Sequence, residues 1–598
     1  MAFFFDEKTS KNKKKTGMRR WKKDRRERAW SDLLAWLSNP HETKPPSCAA
    51  RVALVTGQNL SLQRRFLHWQ IEFPEVFFSD TRKENPGFDV VMGNPPYGIR
   101  IDEKEKRFIG VKFENGTPDS AAYFLELALN LTRKGGNFGM IVPKSIAFYR
   151  EWRRIRNILL SRSFLRSTMD VGIAFKDVNY EEIVLCFSTN ELSKTQLAVA
   201  VPLRRPIFEK KILENGSVPL ELTRIAGTII FRGVNSRMER TIRQIIKHSQ
   251  YVGQLAESIF RGIYIPDRNK ELLAEGNIKF VNKVPDVKRY FISRLHNIDI
   301  SVNPNWVKMA REIMRPRVFL KVMRGKRLVA YPDASGELLT TEKLVNIVFP
   351  KNSGYSYYFV AAVINSPVPS FFIQTILFSQ TTETSRVMDS FYSYFIPLPR
   401  ISFSTPAKKR KDLFEKAKEL YDAGDNDSLL KFVETCIQNG HSDAVHDLLA
   451  HLAKEMISLN NNLNNLAERF LLDLEGCRIP RKEAEKGRQA KHLRAVKSIN
   501  PHLEGTDDNR RINLVSALAW KNRVAFRDLL LCLAESVPHL SEALEVYERY
   551  SPDYSEKYAV REFTDTLIDQ IVYRLYGLAE EEIETIETWT AERSIPEE

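Results

Sequence analysis

The stretch GFDVVMGNPPY, residues 87–97, constrains the fold of this chain more than any other feature. An apolar run that follows a glycine is typical of a buried strand, and the two adjacent prolines prevent that strand from continuing. The patterns that follow predict a helix over 120–131 that ends in the glycines of RKGG at 133–136, a strand over 137–143, a helix over 150–161 and a strand over 181–188. This alternation predicts a parallel or mixed α/β sheet with helices on both faces.

The residues that follow the first strand carry the chemistry. In an open α/β sheet ligands bind at the carboxyl ends of the strands, and Asn94, Pro95, Pro96 and Tyr97 lie at such an end. An exocyclic amine such as adenine N6 is a poor nucleophile, because its lone pair is delocalised into the ring. The Asn94 side-chain oxygen and a rigid backbone carbonyl can accept hydrogen bonds from that amine as positive charge develops. The Tyr97 ring can stack on an extruded base, which is worth roughly 1–3 kcal/mol. An ordinary Asn-Pro-Pro turn is the alternative, and the strand that leads into it argues against it.

The pattern changes further along the chain. Residues 31–205 alternate strands and helices, whereas 246–400 contain short apolar stretches separated by turn signals and predict a mixed, β-rich domain. From 401 to 598 the periodicity is helical. Residues 1–30 hold twelve lysines and arginines against four acids, a net charge of +8. We interpret them as a basic arm that stays solvated or forms a helix on phosphates.

Composition limits the partners and the compartment. Over 598 residues there are 91 basic and 75 acidic side chains, a net charge of +16 that favours a polyanionic partner such as nucleic acid. A soluble protein with a basic pI is the alternative. The five cysteines lack CxxC spacing, which argues against a metal site or a disulfide framework and favours a cytoplasmic compartment. Residues 352–382 carry no charge, but prolines and polar residues interrupt them, so buried elements are favoured over a membrane span.

With NPPY after a strand, the chain resembles the amino-methyltransferases of restriction–modification systems that make N6-methyladenine in DNA. Several other segments resemble the large single-chain, type IIG or Eco57I-like members of this group. They are FLHWQIEFPEVFF, AAYFLELALNLTRKGGNFGMIVPKSI, the VINSPVPSFF and FIPLPR of a TaqI-like specificity domain, and the C-terminal FTDTLIDQIVYRLYGLAEEEI. The resemblance implies a partial Rossmann-like methyltransferase sheet in 31–205, a target-recognition domain in 246–400 and a helical C-terminal region in 401–598.

The resemblance also implies roles for individual residues. Asn94 and the Pro95 carbonyl would bind the adenine amino group, Tyr97 would stack on the flipped base, and S-adenosylmethionine would donate the methyl group. Phe175 is a candidate for a second base-stacking ring, and a plain core phenylalanine is the alternative.

The cofactor half that the resemblance implies is incomplete. Members with this motif order hold S-adenosylmethionine through a glycine-rich turn before NPPY, and the 93 residues before Asn94 contain no G-x-G after an apolar run. Asp119 and Tyr123 are weak candidates for the cofactor edge of the pocket, with surface or capping roles as the alternative. A separate polypeptide, a split or decayed gene, or a misassigned start would each account for the missing half. A sheet without its first strands is expected to expose an apolar edge that needs a covering partner.

Basic residues in MRPRVFLKVMRGKR, residues 314–327, are candidate contacts to double-stranded DNA. They are Arg315, Arg317, Lys321, Arg324, Lys326 and Arg327. A solvated strand pair with an ordinary basic face is the alternative. The leading hypothesis is a site-specific DNA adenine-N6 methyltransferase of a restriction–modification or phage-defence system. A non-catalytic specificity subunit or decayed remnant is the second, and an RNA or protein methyltransferase, which the specificity-domain resemblance disfavours, is the third.

Overall fold

A computed structural model describes most of the chain. The described residues are 67–79, 83–96, 113–116, 119–147, 149–172, 182–189, 197–202, 216–219, 236–265, 276–301, 303–321, 327–378, 393–477, 510–533 and 537–591, with the isolated residues 52, 55, 59 and 109. The chain divides into two compact units, Met1–Gly233 and Val234–Glu598. The predicted regions 246–400 and 401–598 both fall within the second unit.

A six-stranded mixed sheet forms the centre of the first unit. Its strands are β1 (Phe88–Gly93), β2 (Thr132–Pro143), β3 (Phe164–Gly172), β4 (Glu182–Ser188), β5 (Leu197–Pro202) and β6 (Gly216–Pro219). The strand order is β1-β2-β4-β3-β5-β6, so β1 lies at one edge. β1 is parallel to β2, β4 lies antiparallel between β2 and β3, and β3 is parallel to β5. The mixed α/β sheet expected from the sequence is confirmed.

The helices of this unit accompany the sheet. Those in the described residues are α1 (Trp69–Glu72), α2 (Pro74–Phe77), α3 (Ser120–Leu131) and α4 (Arg153–Arg162). α3 packs against β1, β2 and α4, and the helix predicted over 120–131 is confirmed. Its predicted glycine end is wrong, because RKGG lies within β2. The Thr132 hydroxyl donates to the Ala128 carbonyl at 2.7 Å. It therefore gives this carbonyl of the last helical turn the hydrogen bond that a glycine turn would otherwise supply.

β1 enters the sheet through an aromatic cluster. The Phe88 ring lies 5.8, 5.4 and 5.6 Å from the rings of Trp69, Phe73 and Phe77, all in edge-to-face geometry. Gly87 has a φ of +127°, and a Cβ there would lie 2.7 Å from the backbone between α3 and β2. Only glycine fits that position without strain. The cluster and this close approach fix the point at which β1 begins.

β1 is an edge strand within the described residues. In the part of the unit that the structure describes, β1 pairs only with β2. Val90 and Met92 lie on the same face of the strand, and their exposed fractions are 59% and 80%. β1 therefore exposes apolar side chains, and the missing cofactor half stays a prediction.

The β-rich part of the second unit consists of small sheets. Its strands are β7 (Ser249–Tyr251), β8 (Ser258–Arg261), β9 (Ile278–Val281), β10 (Val287–Lys288), β11 (Phe291–Ile292), β12 (His296–Ile298), β13 (Arg317–Lys321), β14 (Ala330–Asp333), β15 (Leu339–Thr340), β16 (Leu344–Val348) and β17 (Pro397–Pro399). The largest sheet has the order β14-β13-β16-β8 and is antiparallel throughout. β10 and β11 form a separate hairpin. The mixed, β-rich character expected for 246–400 is confirmed.

Helices form the rest of the second unit. They are α5 (Ser236–His248), α6 (Val252–Leu255), α7 (Pro304–Ile313), α8 (Tyr357–Asn365), α9 (Pro367–Ile373), α10 (Ala407–Asp422), α11 (Asn426–Gln438), α12 (Ser442–Gly476), α13 (Arg510–Ala517), α14 (Arg523–Leu533), α15 (Leu540–Leu575) and α16 (Glu580–Ala591). The long helices α12 and α15 pack together with α13 and α14 around Phe470, Phe526 and Tyr547. The Phe526 and Tyr547 rings stack at 4.3 Å. The helical periodicity after residue 401 is confirmed in the described residues.

The charge-free stretch predicted to be buried forms α8 and α9. Every residue from Phe359 to Ile373 is buried, which confirms buried elements there. None of the described helices is by itself both long and apolar enough to cross a bilayer. α8 and α9 reach that length only as a pair, and their axes are bent by 64°.

Arg317 is the buried charge at the centre of the largest sheet of the second unit. Its side chain is 0% exposed and its Nη1 donates to Asp333 Oδ2 at 2.7 Å. Its Nε donates to Asn346 Oδ1 at 2.8 Å, and its Nη2 donates to the Leu338 carbonyl. Burial lowers the pKa of Arg317 to about 10, and the charge of Asp333 opposes that change. The arginine therefore holds β13, β14 and β16 together.

We expect Arg317→Met to lower the free energy of unfolding by about 3–5 kcal/mol, because it leaves the Asp333 carboxylate buried and without its cation. Arg315→Met is the matched control. Arg315 pairs with Glu257 near the surface at 2.8 Å, and such a pair contributes less than about 1 kcal/mol. Urea unfolding of the full chain, followed by circular dichroism, measures both. Equal unfolding midpoints for the two variants would contradict the structural role of Arg317.

Candidate active site

The candidate site lies at the carboxyl end of β1. Asn94 and Pro96 are exposed, whereas Pro95 is buried. Among the described residues none donates to or accepts from the Asn94 side chain, and none donates to the Pro95 carbonyl. The Asn94 amide is thus exposed to solvent beside a buried proline, and neither group has a hydrogen-bond partner within the described residues.

A hydrogen bond from α3 fixes the backbone after the prolines. The Ser120 hydroxyl donates to the Pro96 carbonyl at 2.5 Å, and Ser120 is buried at the first turn of α3. This bond, together with the fixed φ of two prolines, leaves the Asn94–Pro96 segment little conformational freedom. A preorganised acceptor needs this rigidity, because it must not reorganise as charge develops on its ligand.

Asp119 and Tyr123 have structural partners. Asp119 is the N-cap of α3, and its Oδ1 accepts from the Ala121 N–H at 2.9 Å. The Tyr123 ring packs against Phe113 at 5.5 Å. For Asp119 the capping alternative is confirmed. The described residues therefore do not form a complete cradle for S-adenosylmethionine.

A buried glutamate on α3 holds the segment that precedes the helix. Glu126 is 1% exposed, and its carboxylate accepts from the Glu114 N–H at 2.7 Å and from the Asn115 N–H at 3.0 Å. It also accepts from the Asn115 side-chain amide at 2.7 Å. Arg162 at the end of α4 donates to Glu114 at 2.5 Å, which holds the pKa of Glu114 below its ordinary value. Residues 113–116 are thereby tied to both helices.

Ser120 and Glu126 were not among the residues predicted for the site. Glu126 is the only charged residue in the apolar stretch SAAYFLELALNL, and a lone carboxylate on an apolar helix face is a signal for a buried hydrogen-bonding role. Ser120 gave no such signal, because its importance depends on where Pro96 lies in space.

Several predicted residues lie outside the described part of the chain. They are Tyr97, Phe175, Arg324, Lys326 and the basic arm at 1–30. Their proposed roles in base stacking and DNA contact stay predictions.

The remaining basic candidates differ in how accessible they are. Arg317 is buried and fully engaged with protein acceptors, so its assignment as a DNA contact is wrong. Arg315 is partly exposed and pairs with Glu257. Arg327 lies 3.7 Å from Asp569, and burial lowers its pKa. Lys321 is half-buried at the end of β13 and has no carboxylate partner among the described residues.

Comparison with known proteins bears on the first part of the chain. Residues 9–175 match the family model for Eco57I restriction-modification methylases. The match includes the NPPY tetrapeptide and strands β1 to β3. A segment of 101 residues is 28% identical to a type II restriction enzyme and methyltransferase of Methanocaldococcus jannaschii, covering 17% of this chain and 8% of that protein. The family match supports a restriction–modification methylase domain within residues 9–175, which lie in the first unit.

Solved structures also share similarity with this chain. The type IIG restriction endonuclease BpuSI is 14% identical, with a TM-score of 0.25, 55% of this chain covered and 48% of that one. The DrdV–DNA complex is 12% identical, with a TM-score of 0.33, 86% of this chain covered and 57% of that one. The chain therefore spans less than two thirds of the length of these relatives.

We expect Glu126→Gln to lower the free energy of unfolding by about 1–3 kcal/mol and to speed amide exchange in residues 113–116. The substitution keeps the shape of the side chain but replaces one carboxylate oxygen with an amide N–H₂. That group cannot accept the hydrogen bonds that residues 114 and 115 donate. Hydrogen–deuterium exchange read by mass spectrometry measures the local effect. Glu114→Gln, on the exposed partner of Arg162, is the control and is expected to change exchange little. Unchanged protection in Glu126→Gln would show that the carboxylate does not hold this segment.

Proposed function

We propose that this chain is a DNA methyltransferase component of a restriction–modification or phage-defence system that acts on adenine N6. The observation that carries the proposal is the exposed Asn94 beside a proline-fixed carbonyl at the end of β1, within the segment that matches the methylase family. Duplex DNA is the proposed substrate.

The chemistry assigned to the site is hydrogen-bond acceptance. The Asn94 side-chain oxygen and the Pro95 carbonyl would each accept from the amino group of an adenine that has left the duplex. The methyl donor would leave with the electron pair of its bond to the methyl carbon as the nitrogen forms its new bond, and the nitrogen would then lose one N–H proton to water. Both hydrogen bonds would strengthen while the nitrogen is positive, which lowers the barrier. No covalent intermediate with the protein is needed. Stacking of the extruded base falls to Tyr97 and, as a second ring, to Phe175.

S-adenosylmethionine is the proposed methyl donor. Because the described residues do not complete a cradle for it, we assign no step to Asp119 or Tyr123. The open side of β1 is adjacent to the proposed catalytic residues, and the elements that hold the cofactor would pair there. The proposed source of those elements is a separate chain that carries the cofactor-binding half.

We expect Asn94→Ala to slow methyl transfer by about 10²–10³-fold, because it removes one of the two acceptors that stabilise the developing charge. The measurement is N6-methyladenine in digested duplex DNA after incubation with labelled S-adenosylmethionine, using the form of the protein that methylates. Asn130→Ala, at an exposed position of α3, is the matched control and should methylate at the unmodified rate. Normal methylation by Asn94→Ala would exclude the proposed role.

DNA contact by the second unit is proposed for the accessible members of the basic stretch. Lys321 is the strongest, because no carboxylate competes for it in the described residues. Arg315 would have to exchange Glu257 for a phosphate. These contacts position the protein on the backbone, and they carry no sequence information by themselves.

A non-catalytic specificity subunit is the second candidate function. The exposed Val90 and Met92 of β1, whose pairing within the described residues is with β2, support it as a surface that a partner chain could cover. Calorimetry with S-adenosylmethionine separates the two candidates. Binding by this chain alone indicates a complete enzyme, and binding only after addition of an upstream-encoded polypeptide indicates a split one.

We expect Met92→Glu to weaken binding of that polypeptide roughly tenfold or more, since it places an unpaired charge in an apolar contact. Leu472→Glu is the control, because Leu472 is 68% exposed on α12, which lies in the second unit. Titration of each purified variant with the upstream-encoded polypeptide measures the difference. Equal affinities for the two variants would exclude the β1 edge as the interface.

A further inference from the structure

A pocket of about 380 Å³ lies within the second unit, far along the sequence from Asn94. It is lined by the β10–β11 hairpin and by helices α12, α13 and α15, and we call it the hairpin pocket. The proposed methyl transfer does not use it. Its lining combines cations, carboxamides and apolar side chains, a combination typical of pockets that bind small molecules.

The tip of the hairpin holds an arginine in this pocket. Tyr290 has a φ of 56°, a left-handed conformation that costs a non-glycine residue about 1–2 kcal/mol, and its side chain is 0% exposed. The buried ring anchors the turn and thereby orients Arg289. Arg289 donates to both carboxylate oxygens of Asp565 on α15, at 2.9 and 2.7 Å. Backbone strain of this kind is found where the surrounding structure holds a functional group in place.

The charge of the lining is positive. Lys288, Arg289 and Arg561 outnumber Asp565, the carboxylate in the lining, which already pairs with Arg289, while Arg561 also pairs with Glu562 outside the lining. The Arg289 Nε is buried and has no acceptor among the described residues. Lys288 is exposed at the rim. The pocket is therefore suited to an anion, and it has donors to spare for one.

The opposite wall consists of carboxamides on α12. Five asparagines lie between residues 460 and 465, although asparagine is a poor helix former. Asn460 and Asn464, one turn apart, line the pocket. Asn460 donates to the Met456 carbonyl at 2.7 Å, which fixes its amide plane, and the Asn464 amide has no partner among the described residues.

We propose that the hairpin pocket binds a nucleotide unit. The cations Lys288, Arg289 and Arg561 would receive its phosphate, and the Asn464 amide would pair with the edge of its base. Asparagine offers adjacent donor and acceptor atoms that match the edge of adenine, and Tyr554 and Leu463 supply an apolar surface for the base. The volume is within the range of about 300–1,000 Å³ typical of small-molecule pockets and exceeds what a phosphate alone requires. The inference does not depend on methyl transfer at Asn94.

The test measures binding to the full chain of three probes: ATP, inorganic phosphate and a fluorescently labelled single-stranded DNA oligonucleotide. We expect Asn464→Ala to lower the affinity for the probe that binds by about tenfold, because the substitution removes the amide that pairs with the edge of the base. Asn465→Ala, the exposed neighbour on the same helix, is the matched control and should bind normally. Alanine favours helix more than asparagine does, so neither variant is expected to unfold α12.

Lys288→Gln is the second variant, and it should weaken the same probe and reduce the dependence of its affinity on salt. Asn464-dependent binding of ATP would identify a free nucleotide as the ligand. Asn464-dependent binding of the oligonucleotide alone would identify a nucleotide of a DNA strand. The proposal would be overturned if inorganic phosphate bound as tightly as ATP. It would also be overturned if Asn464→Ala bound every probe with unchanged affinity.

Discussion

One set of parallel hydrogen bonds, between β1 and β2, determines where the proposed catalytic residues lie. Within the described residues the strand pairs with β2, from Val90 opposite Asn137 to Gly93 opposite Met140. β2 is itself fixed in the core, where Phe138 stacks on Phe187 of β4 at 5.0 Å. The chemistry assigned to Asn94 therefore depends on a strand that the sheet positions from one direction, with the Ser120 hydroxyl bond as a second point of attachment.

Two parts of β1 have different properties, its carboxyl end and the side that faces away from β2. Rigidity at its carboxyl end comes from two prolines and from α3, and both lie within the described part of the first unit. The edge beside it is left for another element to pair with, which a fully covered strand would not allow. The proposed chemistry depends on the first property, because an acceptor must be preformed if it is to stabilise charge that develops on its ligand.

Local patterns were sufficient for much of the fold. The helix at 120–131 and the strand before NPPY were predictable because their apolar spacing depends only on neighbours in sequence. The end of α3 was not, since a threonine hydroxyl took the place of a glycine turn. The role of Arg317 was also missed, because Asp333 and Asn346, which hold it in the interior, are 16 and 29 positions away in the sequence. Ser120 was missed for the same reason, since its partner Pro96 is 24 positions away.

The turn at Tyr290 also has a consequence for which residues that position tolerates. Glycine would remove the strain of about 1–2 kcal/mol that the left-handed backbone imposes. It would also leave a void in place of a fully buried aromatic ring, and such a void typically destabilises a protein by about 3–5 kcal/mol. The cost of the void exceeds the strain that glycine would remove. The tyrosine ring is therefore favoured at this position, although the backbone conformation alone favours glycine.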